Sequence, residues 1–538
     1  MRSRAIIRVV GSHAEQALAL LAAVVGLVGV GSALTPELAR RADLVSGILP
    51  PGLPTAGRVV AIAFGVGLIW LSRGLAARKR RAWQLAVALL VGIALAHLVK
   101  GLDFEEALLS LLFLWLLLLT RRRFDVPGDP LAILPLSLTL VALGLVATPR
   151  VLVEFGVLSV PERVNELLWT LTVLLTAFCL QLWLRPWRER RQGSAAERAV
   201  AREIVAEHGV DSLDFFALRH DKSYFFSADR SAFVAYRVIA GCALIGGDPV
   251  GEEAEFQELL ERFREYARGR GWRIGVLAAS ETRLPLYQTL GLRALKLGDE
   301  AIVRASSFSL EGRAIRKVRQ SVSRLEREGY QLRVLREREL TPKLRVDLEQ
   351  VSNEWRGDAP ERGFAMAMDR LFGDPETVFV VALDRAGEIG GFLHLVPTAN
   401  QQGYSLSAMR RRPNTPNGLM EYLIVSALGW MNDSDLDELS LNFCAFADIL
   451  RADHESHPGS RVLKRVLVGL DRAFQLDRLL HFNNKFSPEW RPRYLLLERA
   501  TDFPRIGLAC LLAESLLTPP GAWNRTTDPA AAVSARPL

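Results

Sequence analysis

Histidine is scarce and cysteine scarcer, eight and four in 538 residues. Cys179, Cys242, Cys444 and Cys510 lie far apart with no Cys-x-x-Cys among them. That excludes a sequence-evident zinc ribbon and argues against a disulfide scaffold. The histidines build no Ser-His-Asp or Cys-His pattern. His454 and His457, with Asp453 and Glu455, form one metal-like pair, and it lacks a third clear ligand. No metal site is therefore expected. Low apolar content, the mark of a disordered chain, is also absent: half of the residues are hydrophobic.

What is present divides near residue 192. Residues 1–192 hold 21 Lys and Arg against 12 Asp and Glu, whereas residues 193–538 hold 46 against 47. The positive charge belongs to the first part. Six apolar runs lie in that part, at about 17–34, 57–72, 83–99, 106–119, 131–148 and 166–184. Most approach the 17–25 residues that cross a bilayer as a helix, and six runs argue for a membrane domain over a signal peptide. Few charges fall inside them, so an ion relay is not indicated. The N-terminus and the segments after runs two, four and six carry 15 Lys and Arg; the alternate loops carry six. The positive-inside rule then predicts an inner-membrane, multi-pass protein with both termini in the cytoplasm. The membrane domain reads as an anchor or as a cavity admitting a lipid from the side.

Beyond a polar linker at 191–197 the pattern alternates strands and helices. Ala232–Ala240, Cys242–Gly246 and Trp272–Ala278 read as strands around an amphipathic helix at Glu252–Arg268, and Tyr287-x-x-Leu290-Gly291 closes a second helix. The order recurs with strands at Thr377–Asp384, Ile389–Val396 and Tyr404–Met409, a loop at Pro413–Gly418, a helix at Leu419–Met431 and a strand at Glu438–Phe443. It resembles the GNAT acyltransferase fold, twice over. The expected fold is a six-span α-helical domain followed by a tandem α/β acyltransferase. Its parts are 1–192 in the membrane, a first GNAT-like unit at 193–340, a second at 341–515 and a disordered tail at 516–538. Neither Pro413–Gly418 nor Gly246-Gly247 has the Gly-x-Gly of a coenzyme A loop, so acetyl-CoA is not the expected donor and no cofactor is expected. The helix after Gly418 still offers free N–H groups to an anion.

A set of short motifs in order then points to a family. These are Phe215-Phe216-Ala217-Leu218-Arg219, Asp221-Lys222, Gly246-Gly247-Asp248-Pro249, Phe308-Ser309-Leu310-Glu311-Gly312, Met409-Arg410, Pro416-Asn417-Gly418-Leu419-Met420-Glu421, Leu441-Asn442-Phe443 and Asn484-Lys485-Phe486 through Trp490-Arg491-Pro492-Arg493-Tyr494. Over about 205–500 the chain resembles the lysylphosphatidylglycerol synthases, also called multiple peptide resistance factors. The resemblance implies transfer of an aminoacyl group, with lysine expected over alanine, from aminoacyl-tRNA to phosphatidylglycerol. It implies lysyl-tRNA, phosphatidylglycerol and the membrane as partners, less negative surface charge and resistance to antimicrobial peptides as consequences, and it leaves a homo-oligomer open. A peptidoglycan-bridge aminoacyltransferase and a non-catalytic lipid-binding protein are the alternatives.

Such a donor is already an activated ester, so the site needs a polyanion surface, a cationic group for the lipid phosphate, and groups that place the hydroxyl and the oxyanion. Arg313, Arg316, Lys317 and Arg319, with Arg324 and Arg327 after them, face only Glu326 in that segment and suit tRNA or lipid phosphates. A solvated helix face is the plainer reading. Arg491 and Arg493 suit the phosphodiester, Lys485 the oxyanion, with Trp490 and Tyr494 beside them. Glu421, one turn inside the helix opened by Asn417-Gly418, suits the aminoacyl ammonium or a base, or simply the helix dipole; the family usually has Asp here. Arg410 is placed to pair with Glu421 or another acid. Asp248 is a third catalytic candidate or a turn residue. Asn442, Ser352 and Trp355 complete the expected substrate pocket.

Overall fold

Each of the six apolar runs folds as a helix: α1 (Arg2–Leu34), α2 (Leu53–Ala76), α3 (Arg80–Gly101), α4 (Phe104–Leu119), α5 (Ile133–Glu154) and α6 (Glu162–Trp183). The computed structural model describes residues 2–34, 53–101, 103–129, 132–154, 159–184, 192–357, 359, 361, 363–398, 403–445 and 476–517. The His454 and His457 pair and nearly all of the expected tail lie outside these residues. The chain divides into two units, one of residues 1–189 with 265–272 and the other of 190–264 with 273–538.

Among the described residues, four helices have stretches long and apolar enough to cross a bilayer: Ala14–Leu34, Val59–Ala76, Arg80–Leu98 and Glu162–Trp183. The expected six is thus four by this measure. The 16-residue α4 reaches only about 24 Å at 1.5 Å per residue, short of the roughly 30 Å hydrocarbon core. Glu105 and Glu106 at one end and Arg121–Arg123 at the other cut its apolar stretch. The apolar part of α5, Ile133–Pro149, is also short. Helices α1 and α2 touch at glycines: a Cβ on Gly26 would lie 2.6 Å from the Gly65 carbonyl oxygen, the close approach small residues allow in membranes.

Two of the four basic segments, those after α2 and α4, meet the end of α6 at one end of this unit. Lys79 and Val126 form an isolated β-bridge, closed by Arg80 N–H to Val126 O at 2.9 Å and Val126 N–H to Arg78 O at 3.2 Å. Arg78 pairs with Asp125 at 2.7 Å. Lys79 Nζ donates to the Leu184 carbonyl at 2.7 Å, and Trp183 Nε1 donates to Arg81 O at 3.2 Å. The loop after α2, the loop after α4 and the end of α6 are therefore one surface.

The second unit is built on a continuous sheet. Its strands are β1 (Ser223–Phe226), β2 (Ala232–Ile239), β3 (Cys242–Gly246), β4 (Val250–Gly251), β5 (Arg273–Ser280), β6 (Arg293–Arg304), β7 (Gln331–Arg336), β8 (Val378–Leu383), β9 (Ile389–Pro397), β10 (Gly403–Arg411), β11 (Glu438–Ala445) and β12 (Glu489–Leu497). They lie in the order β1-β2-β3-β5-β12-β6-β11-β10-β9-β8-β7, with β4 on β2. Parallel pairs occur twice, β3 with β5 and β10 with β11, each bridged by a helix as a crossover requires. These helices are α8 (Phe256–Gly269) and α12 (Leu419–Asp433), and this repetition is what the sequence pattern showed twice. The last strand does not stay with the second repeat. β12 enters between β5 and β6, antiparallel to both, and β6 of the first repeat lies against β11 of the second. The halves exchange strands.

The helices sort to the two faces by their apolar spacing. On α10 (Arg316–Arg327), Val318, Val322 and Leu325 are buried while the basic residues face out, the stripe of a surface helix. α10 and α12 share one core with Val378, Val380 and Leu393. α11 (Pro342–Arg356) packs Leu348 and Val351 on the opposite face with Phe379, Val381 and Phe392. α7 (Ala195–His208) starts at a capping box of Ser194 and Glu197. α7 and α14 (Phe503–Ala513) cover the first half, Ala201 and Ile506 being in its core. Short α9 (Leu284–Thr289) and α13 (Leu476–Asn483) complete the set among the described residues.

Arg493 and Glu300 lock the exchange. Arg493 Nε donates to Glu300 Oε2 at 2.9 Å and its NH1 pairs with Asp211 at 2.9 Å. The arginine side chain is 3% exposed and the glutamate 0%. Breaking a buried pair by removing one partner strands the other charge and costs about 3–5 kcal/mol. Arg493→Leu should therefore lower the unfolding free energy of the detergent-solubilised protein by that amount, read as a lower urea midpoint, and lose activity only in proportion to folded protein. An unchanged midpoint would place Arg493 outside the fold's framework.

Candidate functional site

The approach of α10 to α12 decides the site. Gly418 caps α12 in the left-handed region, φ 90°, where glycine has no steric cost. A side chain there would also strike Ser321 and Arg324 of α10. Arg324 NH2 donates to the Asn417 carbonyl at 2.6 Å, so the basic helix is fastened to the start of α12. Glu421 follows in the first turn, and Lys485 Nζ donates to its Oε1 at 2.7 Å. Lys485 comes from the 3₁₀ turn after α13 and lies 5.1 Å from the Phe482 ring centroid. The lysine side chain is 36% exposed and the glutamate 13%, so the pair is open to solvent on the lysine side. Arg313, Arg316 and Lys317 are exposed and have no ion-pair partner among the described residues. Arg319 instead donates to the Leu310 and Gly312 carbonyls, holding the loop before α10.

Arg491 and Arg493 do not join Lys485 as a free cationic wall. Arg491 makes a two-pronged bond to Glu438 at 3.0 and 2.9 Å and a third to Glu489 at 3.1 Å. Bonding to Glu438 first, and to Glu489, raises its pKa still further above the usual guanidinium range. Arg493 is buried on Glu300. Trp490 packs with Leu479 and Leu480 of α13, and Tyr494 donates to Glu281 at 3.3 Å.

Arg410 is turned away from Glu421. Along β10, Met409 faces the α12 core and Arg410 points to the α11 face, as alternation requires. It pairs there with Glu361 at 2.7 Å and covers the Trp355 ring at 4.2 Å. Ser352 is buried one turn earlier on α11. Arg410, Trp355 and Ser352 thus form a second polar group, on the opposite face of the sheet from Glu421 and Lys485. His394, buried with neither ring nitrogen bonded, stacks on Phe379, and burial first, then Arg410, depress its pKa to about 3.

Asp248 and Asn442 lie deeper. Asp248 accepts from Ser280 N–H at 3.0 Å and from the Tyr287 hydroxyl at 2.9 Å, and burial raises its pKa. Both oxygens tie the turn after β3 to β5 and α9. Asn442, at φ 67°, donates to the Met366 and Leu406 carbonyls where β10 and β11 separate. Its Oδ1 is buried without a partner. The 363–368 segment reached by Asn442 also takes Glu514 on Phe364 N–H at 2.9 Å and Arg219 on the Ala367 carbonyl. Lys222 lies beneath it, fully buried, its Nζ 4.6 Å from the Phe364 centroid and unbonded. Desolvation, then Arg219, pulls its pKa down to about 7.

The sequence reading gave no role to Glu300, Glu361, Glu438 or Lys222. Asp221-Lys222 stood out only as a motif. Glu300 and Glu438 had no local signal, since their partners are remote in the chain; Glu361 pairs locally with Arg356 as well as with remote Arg410.

The phosphatidylglycerol lysyltransferase C-terminal family matches residues 202–497. The lysylphosphatidylglycerol biosynthesis bifunctional protein LysX of Rhodococcus opacus is 35% identical over 363 residues, 66% of this chain and 32% of that protein. The LysX of Mycolicibacterium gilvum is 33% identical over 507 residues, 86% of this chain and 46% of that one. The chain therefore spans about a third to a half of the length of these curated relatives. Among solved structures, a C-terminal domain assigned to a lysylphosphatidylglycerol synthetase of Agrobacterium fabrum is 27% identical with a TM-score of 0.52, covering 60% of this chain and 98% of its own. The L-PGS of Bacillus licheniformis, 23% identical with a TM-score of 0.53 and the same coverage, shares the fold. The family match covers more than half of the sequence and falls on the sheet, the basic helix and the Glu421–Lys485 pair alike, so the chain belongs to the phosphatidylglycerol lysyltransferase family.

Proposed function

We propose that this chain moves an aminoacyl group, lysyl first, from aminoacyl-tRNA to a glycerol hydroxyl of phosphatidylglycerol at the cytoplasmic face of the inner membrane. One observation carries the reading: an unpaired basic row at the start of α10 is fastened by Arg324 to the helix start that bears Glu421, on which Lys485 of the turn after α13 closes. Phosphates of an acceptor arm lying along Arg313, Arg316 and Lys317 would bring the aminoacyl ester to that helix start. There the lipid hydroxyl attacks the ester carbonyl. The hydroxyl proton passes by way of Glu421 to the departing ribose oxygen, and Lys485 stabilises the oxyanion between. An amine of the aminoacyl group can take the place of Lys485 on Glu421 and so free the lysine for that role. Arg410, Trp355 and Ser352 are assigned to the substrate pocket, and Asn442, through Oδ1, to a substrate N–H. Asp248 is assigned a supporting part, placing β5. The product carries more positive charge than its lipid acceptor, which lowers the surface negative charge.

Lys485→Ala and Glu421→Ala should each cut aminoacyl-lipid formation by two or more decades, the scale of losing one oxyanion or orienting group (about 2.7–4 kcal/mol). Mass spectrometry of lipid extracts gives the readout, with ribonuclease-treated membranes as the second arm. Product made after full RNA digestion would rule out the donor, and near-normal product in both variants would move the chemistry elsewhere.

Replacing Arg313, Arg316 and Lys317 with Gln, and leaving Arg319 to hold its loop, should flatten the salt dependence of tRNA binding. Each lost phosphate contact lowers the log–log slope by roughly 0.7–0.9. A slope that stays put assigns the row to another role.

The grouped basic loops support termini on the cytoplasmic side, and four or six spans give the same parity. Reporter fusions after Arg81 and Arg191 should read cytoplasmic on either count, and the fusion after Arg123 should do so if all six helices cross. A periplasmic signal after Arg191 would deny the site its tRNA.

A further inference from the structure

The end of the membrane unit where the basic loops meet carries more charge than its own contacts use. Arg78 is taken by Asp125, and Arg123 lies 3.6 Å from Glu15. Arg73, Arg80, Arg121 and Arg122 are exposed and have no ion-pair partner among the described residues. They stand on a built surface, not on loose loops. Arg78 Nε donates to the Arg123 carbonyl at 3.1 Å, and Lys79 spans from the Val126 bridge to the end of α6. Two tryptophans mark the depth: Trp83 Nε1 donates to Leu117 O at 2.9 Å, and the Trp183 ring lies 4.9 Å from the Arg81 guanidinium. Amphipathic indoles of this kind sit at the headgroup level of a bilayer. Directly before the free arginines in the chain, the surface turns apolar. Trp70 precedes Arg73, and Leu118 and Leu119 precede Arg121, all three exposed.

We propose that this collar binds the headgroup phosphate of an anionic phospholipid, its chains lying on the apolar flank, and that the membrane unit so gathers the acceptor lipid as well as anchoring the chain. Guanidinium forks match a phosphodiester in a way ammonium groups do not. Juxtamembrane basic residues draw anionic lipid out of a mixed bilayer, whereas a zwitterionic lipid brings no net charge. The exposed Trp70, Leu118 and Leu119 favour a lipid over free phosphate, because only a lipid covers them. The identity of the lipid as the acceptor rests on the function proposed above; the binding itself does not.

The test uses the full chain in nanodiscs of phosphatidylcholine with or without phosphatidylglycerol, and native mass spectrometry of the lipid retained on release. The protein should retain phosphatidylglycerol over phosphatidylcholine, and added inorganic phosphate should not displace it. The variant R73Q/R80Q/R121Q/R122Q should lose about a thousandfold of that retention, as expected for four interfacial charges. Its KM for phosphatidylglycerol should rise with kcat unchanged at saturating lipid. The milder R121K/R122K, which keeps the charge and loses the fork, should fall between and guards against a misfolded variant; both are checked for monodispersity in detergent. Equal retention in R73Q/R80Q/R121Q/R122Q, equal retention of the two lipids, or displacement by phosphate alone would overturn the proposal. Selective retention without any aminoacyl-lipid product would leave the collar standing and reject the proposed reaction instead.

Discussion

A carboxylate shut away from water, Glu300, is the constraint on which the soluble unit turns. A buried charge is tolerated only with partners, and Glu300 draws its partners from separate parts of the chain. Arg493 comes from β12, Ser440 from β11 and Ser212 from the segment after α7, the two serines donating at 2.5 Å. Ser405 on β10 joins by donating to the Ser212 carbonyl at 2.6 Å. Only one arrangement supplies them all: β12 between β5 and β6, and β11 on the far side of β6. Any slip of register would leave Glu300 bare or Arg493 unpaired. The ion pair therefore selects the strand exchange more than it strengthens the fold, and the exchange welds two repeats into one sheet.

Elements whose signal is local could be read from the sequence. Six apolar runs became six helices, the amphipathic stripe of α10 faces the core as its spacing requires, and two of the loops grouped by positive charge, those after α2 and α4, lie together. None of these needs a partner to be known. Span number read less well, because the apolar parts of α4 and α5 are short for a bilayer although each run reads as a helix. The partners of the arginines did not show at all. Arg491 reads as a free phosphate ligand until Glu438 is found 53 residues away, and Arg493 until Glu300 is found 193 away. Period-two alternation says that a segment is a strand, not which strand lies beside it, so the exchange was invisible. Arg410 was open between Glu421 and another acid, and the pleat of β10 decides it by turning the side chain to Glu361 on the opposite face.

The cations of this protein sort by what it would take to change their partners. Arg493 is 3% exposed and bonded to Glu300, Asp211 and Ser212. Releasing it would strand a fully buried acid, so it is fixed for the life of the fold. Arg491 is held by two carboxylates at three points, so an incoming phosphate would have to outbid both. Lys485 differs: one carboxylate holds it, and about a third of its side chain already meets water, where an ion pair is worth little. A competing amine could therefore take its place on Glu421 at small cost. At the other extreme, Arg313 just before α10, Arg316 and Lys317 on it, and Arg73, Arg80, Arg121 and Arg122 of the membrane unit have no ion-pair partner among the described residues. An anion could meet them without first breaking a bond. The arginines that looked most like ligands are the ones the fold has already used, and the cations open to a new partner are those held by one half-exposed carboxylate or, among the described residues, by none.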